Sequence, residues 1–209
     1  ADVLMKGLVS TDKYMRGILN KEYGLLPPKG VLSHVTVFEL PMYHKLLVVS
    51  DVAVIPYPDL SQKTAIVRYL TATAKVLGVE CPKIAAIAPS EQLLASVQSS
   101  VEAAVLAKMA DRGQLGDVVL DGPLALDVAL FEEVARTKHL SSPVAGDADC
   151  LLMPNLDAAN VFFKSANHLC NASLAAMVAG TKAPCVLTSR GDSAESKLYS
   201  IALAALSAK

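Results

Sequence analysis

Short apolar runs alternate with longer helical patterns along most of the sequence. Residues 83–88 and 150–153 are typical apolar runs, and residues 61–77 form a clear amphipathic helix. Alternation of this kind predicts a mostly parallel β-sheet that is covered by helices on both faces. Residues 31–40 and 46–54 are predicted strands joined by residues 41–45, a spacing that suits an antiparallel hairpin with a rather long loop. We therefore expect an α/β fold with a mixed sheet.

The rest of the chain continues this pattern. Strands are predicted over residues 117–120, 174–178 and 185–187. Directly after the first of these, Asp121-Gly-Pro123 predicts a turn. Further helices are predicted over residues 11–21, 91–112, 124–137, 156–169 and the last part of the chain.

Composition excludes several classes of protein. The net charge is −1 and no basic block occurs, so nucleic acid is not an expected partner. No apolar run approaches the roughly 18 residues of a membrane span, so no membrane partner is expected either. The cysteines have no CxxC spacing and are expected to be free, buried thiols of a cytoplasmic protein. The histidines have no metal-ligand spacing, so we expect structural or solvated side chains and no metal. These residues are Cys81, Cys150, Cys170, Cys185, His34, His44, His139 and His168.

Residues 183–193 contain the most informative polar turn of the sequence. An apolar run leads into Thr188, Ser189 and Arg190, and a helical pattern follows. Backbone N–H groups at a helix N-terminus, together with hydroxyls and a guanidinium, suit a phosphate or a developing oxyanion. An ordinary helix start, with Ser193 or Asp192 as the N-cap and Arg190 in solvent, fits the same pattern. Both interpretations stay open at this point.

Further polar candidates follow other apolar runs. Lys6 and Thr11 come after the first run, and Arg16 lies about one helical turn after Thr11. In open α/β sheets, ligands bind beyond the carboxyl ends of strands, so these side chains are candidates for a shared cleft. Asn160 and Lys164 are four residues apart and share one helix face. The pattern alone favours a solvated face for this last pair.

Five segments together resemble the phosphate acetyltransferase and phosphate butyryltransferase family. Two are short, Leu-Met-Lys-Gly at residues 4–7 and Ser-Asp-Val-Ala-Val at residues 50–54. The others are the segment from Asp-Gly-Pro-Leu-Ala at residue 121, the glycine-containing stretch 144–164, and Leu-Thr-Ser-Arg-Gly-Asp-Ser within 183–197. They occur in the family's order along nearly the whole chain, and their residues are more similar to those of the butyryl branch.

The resemblance implies reversible acyl transfer between coenzyme A (CoA) and inorganic phosphate, with an acyl phosphate as product. The acyl group would be short, butyryl or acetyl, and the CoA thiolate would attack the carbonyl directly in a ternary complex. CoA is then a substrate, and no bound cofactor is implied. By matching positions, Arg190 and Arg16 would bind phosphate and Ser189 would stabilise the oxyanion. Asn160 and Lys164 would line the cleft, so a solvated face becomes the weaker interpretation for them.

The resemblance identifies the group that accepts the CoA thiol proton less clearly than it identifies the phosphate-binding residues. Ser196 stands where the acetyl branch has an aspartate proposed as the base. Asp192 is the nearest carboxylate and is therefore the candidate base, although phosphate itself is able to take the thiol proton. Lys6, Thr11 and Ser193 complete the candidates for binding phosphate or CoA.

The resemblance also implies a two-lobed architecture like that of isocitrate and isopropylmalate dehydrogenases. Residues 1–30 and 182–209 would form an incomplete first lobe, because the family's N-terminal stretch is expected to be missing, and residues 31–181 would form the second. A homodimer or higher homo-oligomer is expected. Two alternatives remain: a non-catalytic or truncated family member that binds CoA or phosphorylated ligands, and a hydroxy-acid dehydrogenase on the related scaffold.

Overall fold

A computed structural model describes residues 1–188 and 191–208 of the protein. The strands of this part of the chain are β1 (Leu4–Met5), β2 (Ser33–Glu39), β3 (Leu47–Ser50), β4 (Lys83–Ile87), β5 (Val119–Leu124), β6 (Cys150–Leu152), β7 (Ser173–Ala179) and β8 (Cys185–Val186). The helices are α1 (Thr11–Ile18), α2 (Leu60–Val76), α3 (Gln98–Asp111), α4 (Leu126–Leu130), α5 (Glu132–Thr137), α6 (Leu156–His168) and α7 (Ala194–Ser207).

All strands described join one sheet in the order β1-β8-β7-β2-β3-β6-β4-β5. The pairs β1–β8, β3–β6, β4–β6 and β4–β5 are parallel. The pairs β2–β3, β2–β7 and β7–β8 are antiparallel. The predicted α/β class, the mixed sheet and the β2–β3 hairpin are therefore confirmed.

The two faces of β2 belong to two separate cores. Val35 and Val37 pack with α2 and α3 on one face of the sheet. Phe38 points to the opposite face, which we call the α6 face, and contacts the rings of Phe162 and Phe163 at 5.7 Å between centroids. Polar residues occupy this strand near its start: His34 and Thr36 are both buried. The α6 face near the start of β2 is thus the place where the sheet departs from an apolar core.

Helix α1 covers the same face at the β8 end of the sheet. Tyr14 and Ile18 pack against Val178 and Cys185. The Tyr14 hydroxyl also donates to the carbonyl oxygen of Leu4 at 3.0 Å, which fixes α1 above β1. A space therefore remains on the α6 face between α1 and α6.

The helix predicted over residues 11–21 ends at Ile18, and two other predicted helices differ more from the structure. Helix α3 begins at Gln98 rather than residue 91, because Ser100 holds the preceding segment in a turn: its hydroxyl donates to Gln92 O and accepts from Leu94 N, both at 2.9 Å. The predicted helix over 124–137 is interrupted at Phe131, whose extended backbone (φ −125°, ψ 110°) separates α4 from α5.

The predicted turn at residues 121–123 is wrong, because these residues continue β5. Gly122 explains why a turn-like sequence lies in a strand. A Cβ at this position would lie 2.8 Å from the Cβ of Ala86 on the neighbouring β4, so only glycine permits this close approach of the strands.

The prediction for the cysteines holds in part. Free thiols are present at all four positions, and Cys150 and Cys185 are buried as expected. Cys81 and Cys170 are exposed, contrary to the expectation of burial. In the part of the chain described, none of the helices is both long and apolar enough to cross a membrane. The proposed division into two lobes stays a prediction.

Candidate functional site

A cavity of about 430 Å³ opens on the α6 face between α1 and α6. Strands β2 and β7 form its floor, and the segments that follow β1, β3 and β8 complete its walls. Its lining residues are Lys6, Ser10, Thr11, His34, Val52, Ala53, Asn160, Phe163, Lys164, Leu174, Ala176, Leu187, Thr188 and Asp192. Cationic and apolar side chains therefore share one open site.

The cationic side of the cavity begins where β1 ends. Lys6 is only 7% exposed, and its backbone N–H donates to Val186 O of the parallel neighbour β8 at 3.0 Å. Ser10, the N-cap of α1, accepts from Lys13 N, and Thr11 is the first residue of that helix. The N-terminus of a helix carries a partial positive charge and free N–H groups, so this side of the cavity favours an anion.

A second helix begins on the same side of the cavity. Ser193 caps α7 by accepting from Ser196 N at 3.0 Å, while Asp192 and the buried Thr188 line the cavity. Of the two predicted N-caps, the structure uses Ser193 in this role. The Ser193 cap is therefore present together with Thr188 and Asp192 at the cavity.

Helix α6 supplies the opposite wall. Asn160 and Lys164 lie on the face of the helix that lines the cavity together with Phe163. The Lys164 ammonium lies 5.4 Å from the centre of the Phe163 ring, a cation–π distance. A second cation and an amide therefore face Lys6 and the helix starts across the cavity.

The remaining wall is apolar. Val52, Phe163, Leu174, Ala176 and Leu187 come together here from four separate segments. Leu174 and Ala176 lie opposite Phe38 and Thr36 in the register of β2 and β7, which directs them to the α6 face. This wall suits a short hydrocarbon group next to the cationic side.

His34 is a lining residue that sequence reasoning did not select as functional. It is 5% exposed, and burial lowers its pKa, although Asp51, a hydrogen bond to the Leu187 backbone and Asp192 oppose that shift. The one available signal was the alternation of the polar residues His34 and Thr36 with the apolar residues Val35 and Val37.

Asp51 beside it is buried and held by four hydrogen bonds. It accepts from the backbone N–H groups of Ala53, Val54 and Ile55 at 2.8–3.1 Å and from the Ser33 hydroxyl at 3.1 Å. Three consecutive N–H groups aimed at one carboxylate fix the loop after β3. This loop carries Val52 and Ala53 to the cavity.

The predicted site residues fall into three groups. Those that line the cavity are Lys6, Thr11, Asn160, Lys164 and Asp192. Arg16 and Ser193 are not among the lining residues: Arg16 is exposed and pairs with Asp12 at 3.2 Å along α1. Ser189 and Arg190 lie outside the described residues. Within residues 1–188 and 191–208, no group of three or more His, Cys, Asp or Glu side chains has an arrangement that could hold a metal ion.

Comparison with known proteins gives related enzymes over nearly the full chain. A phosphate butyryltransferase from Clostridium beijerinckii is 46% identical over 206 residues, which are 99% of this chain and 68% of the relative. A phosphate acetyltransferase from Thermotoga maritima is 41% identical over 205 residues, 98% of this chain and 69% of the relative.

A solved structure is also similar in fold. The crystal structure of a branched-chain phosphotransacylase from Enterococcus faecalis V583 matches with a TM-score of 0.90 at 35% identity, covering 99% of this chain and 74% of that one. The family described as Phosphate acetyl/butaryl transferase matches residues 1–205. These findings confirm the resemblance inferred from the five sequence segments. The chain belongs to the phosphate acetyl/butyryl transferase family.

Proposed function

We propose that this protein transfers a short acyl group reversibly between CoA and inorganic phosphate, and that butyryl is preferred over acetyl. The observation that carries the proposal is the cavity in which cationic groups and two helix starts adjoin an apolar wall. A phosphate and an acyl chain need these two environments next to each other.

The phosphate end of the substrate fits the cationic side. Lys6 and Lys164 supply positive charge, and the start of α1 supplies N–H donors and its dipole. Arg190, which the sequence motif assigns to phosphate binding, would add bidentate hydrogen bonds to phosphate oxygens. Arg16 stays a second candidate, although its side chain pairs with Asp12.

The acyl end fits the apolar wall. Burying a methylene group contributes about 0.8 kcal/mol, and butyryl has two more methylenes than acetyl. Ala176 and Val52 are small enough to leave room beside Phe163 and Leu174. This supports a preference for butyryl, as does the 46% identity to a phosphate butyryltransferase.

The chemistry follows from bringing both groups together. The CoA thiol gives its proton to Asp192 or to phosphate, and the thiolate attacks the carbonyl carbon of the acyl phosphate. A C–S bond forms, the tetrahedral oxyanion accepts a hydrogen bond from Ser189, and the C–O bond to phosphate then breaks. The reverse direction uses the same groups. CoA and phosphate are substrates in this scheme, which uses no bound cofactor.

The test is phosphate-dependent release of CoA from butyryl-CoA, compared with acetyl-CoA. We expect turnover with both, with the higher kcat/KM for butyryl-CoA. Arg190→Ala should lose most of the activity, whereas Arg112→Ala at the exposed end of α3 should not. CoA binding without phosphate-dependent release would favour a non-catalytic ligand-binding protein. An unchanged rate in Arg190→Ala would contradict the site assignment.

The expected homodimer or higher homo-oligomer also stays a prediction, which light scattering tests.

A further inference from the structure

Ser200 lies in the middle of α7 and is completely buried. Its hydroxyl oxygen accepts the backbone N–H of Ala176 in β7 at 2.9 Å. The same hydroxyl donates to the carbonyl oxygen of Ser196, one helical turn earlier, at 2.7 Å. Because a hydroxyl is able to accept and to donate at the same time, this one side chain joins the helix to the sheet through two hydrogen bonds.

The backbone N–H of Ala176 is buried and needs a partner. In an antiparallel pair, only every second residue exchanges hydrogen bonds with the residue opposite it, so β2 does not pair with every N–H of β7. The neighbour on the other side of β7 is β8, which ends at Val186 and, in the described part of the chain, pairs with β7 at Val178. The Ser200 hydroxyl thus serves as the partner of β7 where β8 has ended.

Helix α7 extends from the cavity to the core on the opposite face of the sheet. Asp192, directly before the N-cap Ser193, lines the cavity. Leu203, near the other end of the helix, packs with α2 and α3. Ser200 lies between these two points, so its bond to Ala176 fixes the helix against β7 between the cavity and that core.

The other end of this bond belongs to the apolar wall. Ala176 lies opposite Thr36 of β2, and it lines the cavity together with Leu174. One hydroxyl therefore joins the wall that faces the acyl chain to the helix that starts on the cationic side. Acyl transfer depends on the separation of these two environments, because a misplacement of about 1 Å is able to lower a rate as much as a hundredfold.

We propose that Ser200 is a positioning residue: its hydroxyl sets the start of α7 relative to Ala176, and so the bound phosphate relative to the acyl chain. The kinetic part of this inference rests on the function proposed above. The bond between the helix and the strand does not, because it is formed in the protein without substrates.

Ser200→Ala removes both hydrogen bonds and leaves the Ala176 N–H without this partner. Ser207→Ala is the matched control: Ser207 lies in the same helix and donates to Leu203 O at 2.8 Å, a bond of the same kind that stays within the helix.

In Ser200→Ala we expect kcat with butyryl-CoA to fall about tenfold. The ratio of kcat/KM for butyryl-CoA to that for acetyl-CoA should fall about three- to tenfold, because the apolar wall shifts. This ratio is the decisive measurement, since it does not depend on the fraction of enzyme that is folded. Ser207→Ala should leave both quantities nearly unchanged.

A double variant tests whether Ser200 acts through the apolar wall. Ala176→Val adds volume to the same wall and should also lower the ratio. If the two changes are coupled, the ratio in the double variant Ser200→Ala/Ala176→Val should differ by at least about twofold from the product of the two single effects. Agreement with the product would contradict an action of Ser200 through Ala176.

Amide hydrogen exchange tests the bond itself without substrates. In the wild type, the Ala176 N–H should exchange as slowly as the N–H groups of β7 that pair with β2. In Ser200→Ala it should exchange at least about tenfold faster, the size of a lost buried hydrogen bond, and in Ser207→Ala it should not change. The wild-type measurement still applies if Ser200→Ala fails to fold.

Specific outcomes would overturn the inference. Fast exchange of the Ala176 N–H in the wild type would remove the bond. An unchanged ratio in a folded Ser200→Ala, or an equal change in Ser207→Ala, would remove the positioning role. A wild type without phosphate-dependent CoA release would contradict the proposed function, while the exchange measurements would still decide on the bond between Ser200 and Ala176.

Discussion

Lys6 donates its backbone N–H to the carbonyl oxygen of Val186 at 3.0 Å. This bond extends the parallel pairing of β1 and β8 by one step beyond Met5. Two segments that are far apart in sequence are thereby joined at their carboxyl ends, and the Lys6 side chain is placed on the cavity wall with Thr188.

The first prediction concerns this lysine. Lys6→Gln removes a buried cation from the phosphate side, so the KM for inorganic phosphate should rise about tenfold, as for the loss of a charge-assisted hydrogen bond. Lys13→Gln, on the exposed surface of α1, is the control and should leave that KM unchanged. Steady-state kinetics, with each substrate varied in turn, measure the KM for phosphate and the KM for butyryl-CoA. A rise in the KM for butyryl-CoA alone would assign Lys6 to the CoA phosphates instead.

The second prediction concerns chain-length preference. Ala176→Val adds volume to the apolar wall, so the ratio of kcat/KM for butyryl-CoA to that for acetyl-CoA should fall about tenfold, the typical effect of a methylene-sized change in such a pocket. Ala175→Val is a close control, since its side chain points to the opposite face of β7 and packs with the other core. An equal change of the ratio in both variants would show that the effect comes from β7 as a whole.

The fold was largely predictable because its signals are local. Apolar runs and helical periodicity are properties of adjacent residues, and they predicted the strands and most helices. The errors lie where the local structure is determined by a contact between residues that are not adjacent in the sequence. Gly122 continues a strand because Ala86 on β4 lies so close. The start of α3 depends on the Ser100 hydroxyl, which bonds back across eight residues to Gln92.

The candidate site was less predictable for the same reason. Lys6, Thr11 and Asn160 were selected from motifs and strand ends, and they line one cavity. The spacing of residues in the sequence does not show whether the Arg16 side chain enters the cavity or pairs with a neighbour. In the structure it pairs with Asp12. His34 had no motif, because its place at the cavity depends on β2 packing beside segments that are distant in the chain.

The third prediction concerns the pH dependence of stability. Burial raises the pKa of Asp147, but hydrogen bonds from Lys45, Lys83 and His44 outweigh it and hold this pKa well below its ordinary value of 3.8. A carboxylate of lowered pKa stabilises the folded state above its unfolded pKa, and this contribution is lost as pH falls toward the folded pKa. The free energy of unfolding should therefore decrease as the pH is lowered below about 4.5.

Asp147→Asn should remove part of that pH dependence. Because the Asp147 side chain is 44% exposed, we expect a loss of roughly 1 kcal/mol at pH 7 after allowance for solvent screening, which shrinks at acidic pH. Urea unfolding between pH 7 and pH 3 measures it. Asp117→Asn, an exposed aspartate near Lys75, is the control. Parallel pH curves for the wild type and Asp147→Asn would contradict the assignment.

The last prediction concerns Asp51, whose carboxylate accepts three backbone N–H bonds and the Ser33 hydroxyl. Asp51→Asn replaces one acceptor oxygen by an NH₂ group that faces other donors, so at least one buried N–H loses its partner. We expect the free energy of unfolding to fall by about 2–3 kcal/mol. Activity should fall too, because the loop that bears Val52 and Ala53 loses its anchor at the cavity.

Asp59→Asn provides the contrast. Asp59 also accepts a backbone N–H, from Gln62 at 2.8 Å, but it is the exposed N-cap of α2. Asparagine caps helices about as well as aspartate, so this change should be nearly neutral. Urea unfolding and butyryl-CoA turnover of the two variants give the comparison. If Asp51→Asn were as stable as Asp59→Asn, the buried carboxylate would not be the group that fixes this wall of the cavity.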